Sequence, residues 1–255
     1  LRNINMTKYT PHNKTSESQL ANRKRLYNLY ENTPLPTSEL LINTGLYTRS
    51  SALSKILFLD EIYKLIIDIP GNIHTYGVWW GQDVVTFQNL RAIHEPYNSN
   101  RRFVGFDTFE GYPDITENDK ESDTIKKGAY STSKDYLNHL NELLDYHEKE
   151  NILSHIKKFE LVQGDLTKTL PTYLSENPQE IIALIYIDLA LYEATKCVLG
   201  HCLKNLVKGS IIVFDELNAK EYPGETIALK ESGLLEQCDV IKSSILPDRT
   251  ILKFN

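Results

Sequence analysis

Acidic side chains end two neighbouring apolar runs near the middle of the chain. Residues 181–187 read IIALIYI and precede Asp188, and residues 210–214 read SIIVF and precede Asp215 and Glu216. Apolar, β-branched runs of this kind are typical of parallel strands that are buried on both faces. Because adjacent strands lie about 4.8 Å apart, carboxylates at their carboxyl ends can converge on one cation or one polar ligand. The sequence therefore predicts a ligand site at this edge of a sheet.

The segment between the two runs predicts how the strands are connected. Residues 191–206 carry apolar side chains at helical spacing, and Lys208 and Gly209 then supply a stop signal. A strand, a helix and a strand in this order form a β-α-β unit with parallel strands, which we expect to be adjacent. The acids have a competing interpretation, because strand-end carboxylates also cap helix N-termini, and the residues alone favour neither.

Three further strand ends carry glycine or acid. Residues 73–79 predict the first strand, which runs into the sequence GVWWGQD from Gly77 to Asp83. Glycines there let the backbone turn tightly and approach a ligand, although a plain strand-to-helix turn explains them too, and they do not match G-x-G-x-x-G. The second predicted strand ends at Asp107, which is placed either to take a ribose diol or to cap the next turn. The third ends at Gly164 and Asp165.

Composition limits the class of protein. The chain has 255 residues, 41% of them hydrophobic and 24% charged, which suits one large α/β domain or one domain plus an appendage. A net charge of −6 argues against nucleic acid as the main partner, and three cysteines without metal or redox spacing suit a reducing compartment. No apolar run approaches the roughly 18 residues of a membrane span, and the N-terminal stretch lacks a signal peptide's apolar core. We therefore expect a cytoplasmic protein.

The order of elements predicts an α/β fold in two parts. Residues 71–255 contain five β/α units and a terminal strand pair at residues 238–245 and 250–254. Residues 1–70 are interpreted as an appendage, either a lid at the ligand edge or a segment that closes the core. The parts of this appendage are a polar tail (1–18), a short helix (19–31), a connector (32–47) and a helix capped by Ser50 or Ser51. The inward residues expected for this helix are Leu53, Ile56, Leu57, Tyr63, Ile66 and Ile67. The polar segment 111–131 lacks periodicity and is a second candidate for a lid.

Several sequence phrases resemble one family closely. GVWWGQD, FVGFDTFEGYP, IYIDLALYEATK and KGSIIVFDELNAKEYPGETIAL are similar to successive motifs of the macrocin O-methyltransferase family. The similarity runs from about Leu40 to Phe254 and is greatest to the bacterial branch that acts in surface-polysaccharide biosynthesis and sugar modification. The resemblance implies a Rossmann-like S-adenosylmethionine (SAM) methyltransferase sheet of five parallel strands plus a terminal antiparallel hairpin. It also implies O-methylation of a sugar hydroxyl on a nucleotide sugar, a polysaccharide or a glycosylated natural product.

The same resemblance assigns the methyl donor to the first three strand ends. Gly77 and Gly81 would shape the methionine pocket, with Gln82 at the start of the following helix. Asp107 and Thr108 would meet the ribose, and Asp165 the adenine amine.

The resemblance assigns a metal to the acids of the last two strand ends. Asp188, Asp215 and Glu216 would hold Mg²⁺ or another divalent cation that receives two vicinal hydroxyls of a saccharide acceptor. A sugar hydroxyl needs help to lose its proton, so Asp188 is also the expected base, and Glu225 is a further base or substrate contact. We expect no nucleic acid partner and no membrane span, and we leave a homo-oligomer open.

Three positions depart from the residues that this family is expected to carry: Thr75, Trp79 and Ala190. They favour an alternative in which the chain is a catalytically degenerate SAM-binding-like scaffold that binds a partner. A nicotinamide enzyme is a weaker alternative, because the G-x-G-x-x-G fingerprint is absent.

Overall fold

The computed structural model describes residues 16–122 and 124–255, and the chain divides into two compact units, residues 1–55 and 56–255. The first unit contains helix α1 (Glu17–Glu31), helix α2 (Thr37–Ile42), a 3-10 turn (Thr44–Tyr47) and the start of helix α3 (Ser50–Lys64). A capping box between Ser16 and Gln19 starts α1, which confirms the helix predicted for residues 19–31. The connector predicted for residues 32–47 is wrong in part, because α2 and the 3-10 turn lie within it. Of the polar tail predicted for residues 1–18, residues 1–15 lie outside the described residues.

The second unit is built on one seven-stranded sheet. Its strands are β1 (Asn72–Tyr76), β2 (Phe103–Asp107), β3 (Phe159–Gln163), β4 (Ile182–Ile187), β5 (Leu206–Phe214), β6 (Cys238–Lys242) and β7 (Thr250–Phe254). The helices that follow α3 are α4 (Gln82–His94), α5 (Tyr136–Glu150), α6 (Leu166–Glu176), α7 (Tyr192–Cys202) and α8 (Pro223–Ser232). The strand order is β3-β2-β1-β4-β5-β7-β6, with β1 to β5 parallel and β7 antiparallel to both of its neighbours. The predicted α/β fold with a terminal antiparallel hairpin is confirmed.

Helices cover both faces of this sheet. All six residues of β4 are buried, and from Leu184 to Ile187 successive ones join different clusters: Leu184 packs with α3, α4 and α5, whereas Ile185 packs with α6, α7 and α8. Alternation of side chains between the two faces of a strand produces this division. The central strands therefore read as continuous apolar runs in the sequence.

Helix α3 contributes to the core of the second unit. Its buried residues are Phe58, Leu59, Ile62 and Tyr63, so residues 56–70, which the sequence analysis placed in the appendage, belong to the unit that holds the sheet. Of the expected inward residues, Tyr63 and Ile66 are fully buried, whereas Leu53, Leu57 and Ile67 are wrong, since they are 47%, 47% and 38% exposed. Within the described residues, no helix has both the length and the hydropathy required to cross a bilayer.

The strand order reverses between β1 and β4, and a crevice forms at the carboxyl ends of strands at such a point. Gly77, directly after β1, adopts a left-handed φ of +91°, and a Cβ at this position would lie 1.9 Å from the backbone oxygen of Asp188. The two strand ends therefore approach so closely that only glycine fits. This close approach fixes the position of Asp188 relative to the first turn.

We expect Gly77→Ala to destabilise the protein by more than about 2 kcal/mol, because it adds left-handed strain to a backbone clash. Gly200→Ala is the matched control: Gly200 is exposed within α7, nothing lies within 4 Å of its added Cβ, and alanine favours the helix. Urea unfolding of both variants measures the difference. Equal stabilities would contradict the close approach.

Candidate active site

The acids predicted to converge lie at one edge of the sheet. Ile187 of β4 is opposite Phe214 of β5, and the ladder continues past both strands because the Asp215 N–H donates to the Ile187 carbonyl at 3.0 Å. Asp188 is half-buried, and its N–H donates to the carbonyl of Tyr76 at 2.9 Å. Asp188 therefore stands between the ends of β1 and β5, at the crevice where the strand order reverses.

The negative charge of Asp215 is compensated by neighbouring side chains of the protein. Its buried carboxylate accepts a hydrogen bond from the Tyr186 hydroxyl at 2.8 Å and lies 2.5 Å from Nε of Arg249. Arg249 also donates from Nη1 to the Asp215 carbonyl at 2.8 Å. The arginine comes from the loop between β6 and β7, which thereby contacts the end of β5. Asp215 is thus an ion-paired residue here.

Glu216 lies among other carboxylates. Burial, together with the charges of Glu225, Asp188 and Asp215, raises the pKa of Glu216 to about 9, although Arg249 opposes the effect. Its Oε2 atom is buried without a hydrogen-bond partner in the described structure. A buried polar atom of this kind marks either a strained position or a place for an absent ligand. Glu216 is therefore the acid of this cluster that most needs a further partner.

Glu225 faces the backbone of the β4 end. It is fully buried at the start of α8, and its Oε1 atom accepts hydrogen bonds from the N–H of Leu189 at 3.0 Å and of Ala190 at 2.9 Å. Burial raises the pKa of Glu225 to about 8 even though these two N–H groups lower it. The role predicted for it, a base or a substrate contact, requires a carboxylate that reaches the acceptor. This role therefore stays a prediction.

Asp107 organises the turn after β1. Its Oδ2 accepts from the Trp79 N–H at 2.7 Å, and its Oδ1 from the Phe109 N–H at 2.6 Å. Burial raises the pKa of Asp107, and these backbone donors partly offset the effect. Gly81 ends this turn in a left-handed conformation as the N-cap of α4, and Gln82 follows as an exposed first residue. The candidate cofactor residues of β1 and β2 therefore share one turn.

Thr108 and Asp165 have structural contacts of their own. The Thr108 hydroxyl donates to the Gly111 carbonyl at 2.7 Å. Asp165 caps α6 by accepting from the Thr167 N–H at 3.0 Å and pairs with Lys168 at 3.2 Å. Burial acts to raise the pKa of Asp165, but its hydrogen bonds and Lys168 outweigh burial and lower it. Asp165 therefore caps a helix, and its contact with adenine stays a prediction.

A row of aromatic rings joins the first turn to the acids, and the sequence analysis did not find it. The Trp79 ring lies 5.7 Å from that of Tyr130, which lies 5.1 Å from that of Tyr112, and the hydroxyls of Tyr130 and Tyr222 are 3.4 Å apart. Burial raises the pKa of Tyr112, and the charge of Glu216 adds to the effect. Tyr112 and Tyr130 belong to the polar segment 111–131, whose length was the only signal that pointed to them.

Segment 111–131 is folded against the acids. Asp119 accepts through Oδ1 from the Tyr192 N–H at 2.8 Å and through Oδ2 from the Thr116 hydroxyl at 2.8 Å. Ile125 and Ala129 are fully buried. Its predicted movement as a lid stays a prediction.

Among the residues that the structure describes, no group of three or more histidine, cysteine, aspartate or glutamate side chains is arranged to hold a metal ion. The three predicted metal ligands share an edge, but Asp215 is already paired with Arg249.

Comparison with known proteins identifies the family. The profile described as macrocin-O-methyltransferase matches residues 58–230. The chain belongs to this family. The crystal structure of CalS11, a calicheamicin methyltransferase, is similar with 40% identity and a TM-score of 0.90, covering 94% of this chain and 93% of that one. No curated protein sequence matches the chain.

Two further structures extend this comparison. The apo structure of CalS11, described as a TDP-rhamnose 3'-O-methyltransferase of calicheamicin biosynthesis, has 37% identity and a TM-score of 0.82 and covers 94% of this chain and 95% of that one. The O-methyltransferase NovP shares the fold, with 19% identity, a TM-score of 0.60 and coverage of 79% and 80%. As a member of the macrocin-O-methyltransferase family, this chain is a SAM-dependent O-methyltransferase, and the nicotinamide alternative is wrong.

The pKa of Glu216 predicts a pH dependence of stability. A carboxyl whose pKa is raised to about 9 on folding keeps its proton in the folded state while the unfolded chain loses it, so stability falls as pH rises from about 5 to about 9. We expect Glu216→Gln to flatten this fall, measured as the unfolding midpoint against pH without added cations. Asp239→Asn, at an exposed position of β6, is the control and should follow the wild type. If the unfolding midpoint changed with pH in the same way in all three proteins, the raised pKa of Glu216 would be contradicted.

Proposed function

We propose that this macrocin-O-methyltransferase family member transfers the methyl group of SAM to a hydroxyl of a saccharide, such as a nucleotide sugar, a polysaccharide or a glycosylated natural product. The observation that carries the proposal is the acid cluster of Asp188, Asp215 and Glu216 beside a row of aromatic rings at the sheet's ligand edge. Similarity over 94% of the chain to CalS11, described as acting on TDP-rhamnose, supports this class of acceptor.

The donor subsite is proposed at the ends of β1, β2 and β3. The turn from Gly77 to Gly81 is the proposed contact of the methionine part, with Gln82 at the exposed start of α4. Asp107, held by two backbone N–H groups, keeps carboxylate lone pairs for the ribose diol, and Thr108 follows it. Asp165 is the proposed contact of the adenine amine. Each position lies at a carboxyl strand end, which supports one continuous subsite.

The acceptor subsite is proposed between the aromatic row and the acids. The side chain of Trp79 is 43% exposed and so is available to a ligand. Its backbone has a φ of +47°, a strained conformation for a bulky residue, and its N–H donates to Asp107. Flat apolar rings beside polar hydroxyls suit a sugar, which presents apolar C–H faces and polar edges. Tyr130 and Tyr222 contribute such hydroxyls.

Asp188 is the proposed base. Methyl transfer is an in-line displacement at the sulfonium, so the acceptor oxygen must be aligned and must lose its proton as the new C–O bond forms. Asp188 is half-buried at the crevice beside the donor turn, where it can take that proton. Its neighbours Glu216 and Asp215 compete less for that proton, because Glu216 already holds one near neutral pH and Asp215 is paired with Arg249.

The acid cluster suits a divalent cation in its chemistry. All donors are carboxylate oxygens, which Mg²⁺ prefers, and the buried Oε2 atom of Glu216 lacks a partner in the described structure. We propose Asp188, Asp215 and Glu216 as the candidate ligands, with Asp215 the least available because it is paired with Arg249. When bound, a cation would stabilise negative charge on the acceptor oxygen. Isothermal titration of Mg²⁺ against the wild type and Glu216→Gln tests binding without relying on activity.

Three other expectations stay predictions. They are the lid roles of residues 1–70 and 111–131, a cytoplasmic location with no nucleic acid partner, and assembly into a homo-oligomer.

Asp107→Ala should weaken binding of S-adenosylhomocysteine by about 1–3 kcal/mol, the loss expected for charge-assisted hydrogen bonds. Calorimetry measures the change, and Asp239→Ala on the exposed side of β6 is the matched control. An unchanged affinity in Asp107→Ala would contradict the ribose contact. A wild type that gives no heat with either SAM or its product would favour the degenerate scaffold.

Asp188→Asn should keep the fold and the affinity for S-adenosylhomocysteine, because the amide is nearly isosteric, yet lower turnover by about 10²–10⁴-fold, the range for loss of a base. The assay is methyl transfer to a panel of nucleotide sugars and oligosaccharides, with and without EDTA. Asp239→Asn should keep wild-type turnover. A wild-type rate in Asp188→Asn would contradict the role of Asp188 as the base. Full activity after chelation would contradict a role for the metal in the reaction.

A further inference from the structure

The turn that follows Asp188 is strained. It runs from the end of β4 to the start of α7, and within it Ala190 has a φ of +60° while only 2% of the residue is exposed. A residue other than glycine adopts the left-handed region only when surrounding contacts stabilise it. The contacts that hold this turn therefore also fix the residue that precedes it.

Those contacts come from Glu225 and its neighbour Gly224. One carboxylate oxygen of Glu225 accepts from the N–H of both Leu189 and Ala190, the two residues that follow Asp188. A Cβ on Gly224 would lie 2.6 Å from the Tyr192 N and 2.8 Å from the Ala190 O, so the start of α8 lies directly against the turn. Removal of this acceptor would leave two N–H groups of the turn without a partner.

The same side chain also reaches the other acidic strand end. Its second oxygen, Oε2, lies 3.4 Å from the N–H of Glu216, which follows β5. One buried carboxylate thus spans the ends of the two strands that carry the acid cluster. Because Glu225 is fully buried and points to the backbone, it does not reach an acceptor in the crevice.

We infer that Glu225 is a positioning residue, which holds the strained turn after β4 and thereby fixes the carboxylate of Asp188 for proton transfer. The inference rests on the proposed function. It replaces the role of base or substrate contact that the sequence predicted for Glu225. Two rival roles make different predictions: a second base, which needs an ionisable group, and a purely structural residue, which affects only folding.

Steady-state kinetics of Glu225→Ala, Glu225→Gln, Asp188→Asn and the double variant Asp188→Asn/Glu225→Ala separates these roles. Glu225→Ala should lower kcat by about 10²-fold, the effect of a misplacement of about 1 Å, with unchanged affinity for S-adenosylhomocysteine. Glu225→Gln should recover most of kcat, since its amide oxygen still accepts from both N–H groups. The double variant should be about as slow as Asp188→Asn alone, because residues that act as one unit are not additive.

Three outcomes would overturn the inference. They are a Glu225→Gln variant as slow as Glu225→Ala, a Glu225→Ala variant with wild-type kcat and only a lower Tm, and fully additive losses in the double variant. The exposed Glu236→Ala is the control and should keep the wild-type kcat. If Glu225→Ala does not fold, Glu225→Asp replaces it, because its shorter side chain cannot reach both N–H groups, and the same outcomes apply.

Hydrogen exchange distinguishes a failure of this inference from a failure of the proposed function. If the wild type methylates no acceptor in the panel, the proposed function fails, but the amides of Leu189 and Ala190 still report on the turn. We expect them to exchange more than about tenfold faster in Glu225→Ala than in the wild type, and near the wild-type rate in Glu225→Gln. Equal rates in all three proteins would show that Glu225 does not hold the turn.

Discussion

Repulsion between buried carboxylates is the constraint on which this edge of the sheet depends. Asp188, Asp215, Glu216 and Glu225 interact electrostatically, and each ionised neighbour makes the next one harder to ionise. The fold relieves the repulsion in different ways. Arg249 pairs with Asp215, backbone N–H groups bind Glu225, and a raised pKa leaves Glu216 protonated near neutral pH. The positions of the β6–β7 loop and of the start of α8 follow from this need for compensation.

Most of the fold could be predicted because its signals are local. Runs of apolar residues predicted the buried strands, and β4 and β5 are parallel neighbours, as the helix between them implied. The errors in the predicted fold arise where tertiary packing, and not the local sequence, determines which residues are buried. The inward face of α3 was predicted only in part: Tyr63 is buried as expected, but Leu57 and Phe58 are equally apolar and only the packed sheet selects Phe58. Helix α2 was missed, because six residues beside prolines carry too little periodicity to distinguish a helix from a loop.

Only those residues of the candidate site that directly follow a strand could be predicted from the sequence. Asp188, Asp215 and Glu216 stand directly after apolar runs, and the parallel pairing places them at one edge. Their partners come from distant segments without a motif. Arg249, for example, binds both the carbonyl and the carboxylate of Asp215 from 34 positions away. The choice between capping and ligand binding at Asp165 also needs contacts that a sequence does not contain.

The charges of the proposed reaction suit an acidic edge of this kind. SAM carries a positive sulfonium, which favours ionised carboxylates beside it and so lowers their pKa values before the transfer. Methyl transfer turns the sulfonium into a neutral thioether and releases the hydroxyl proton within the same site. Loss of the positive charge ends this stabilisation of the carboxylates at the moment when Asp188, the proposed base, must accept the proton. Protonation of one acid then relieves the repulsion among the carboxylates that the sulfonium no longer offsets.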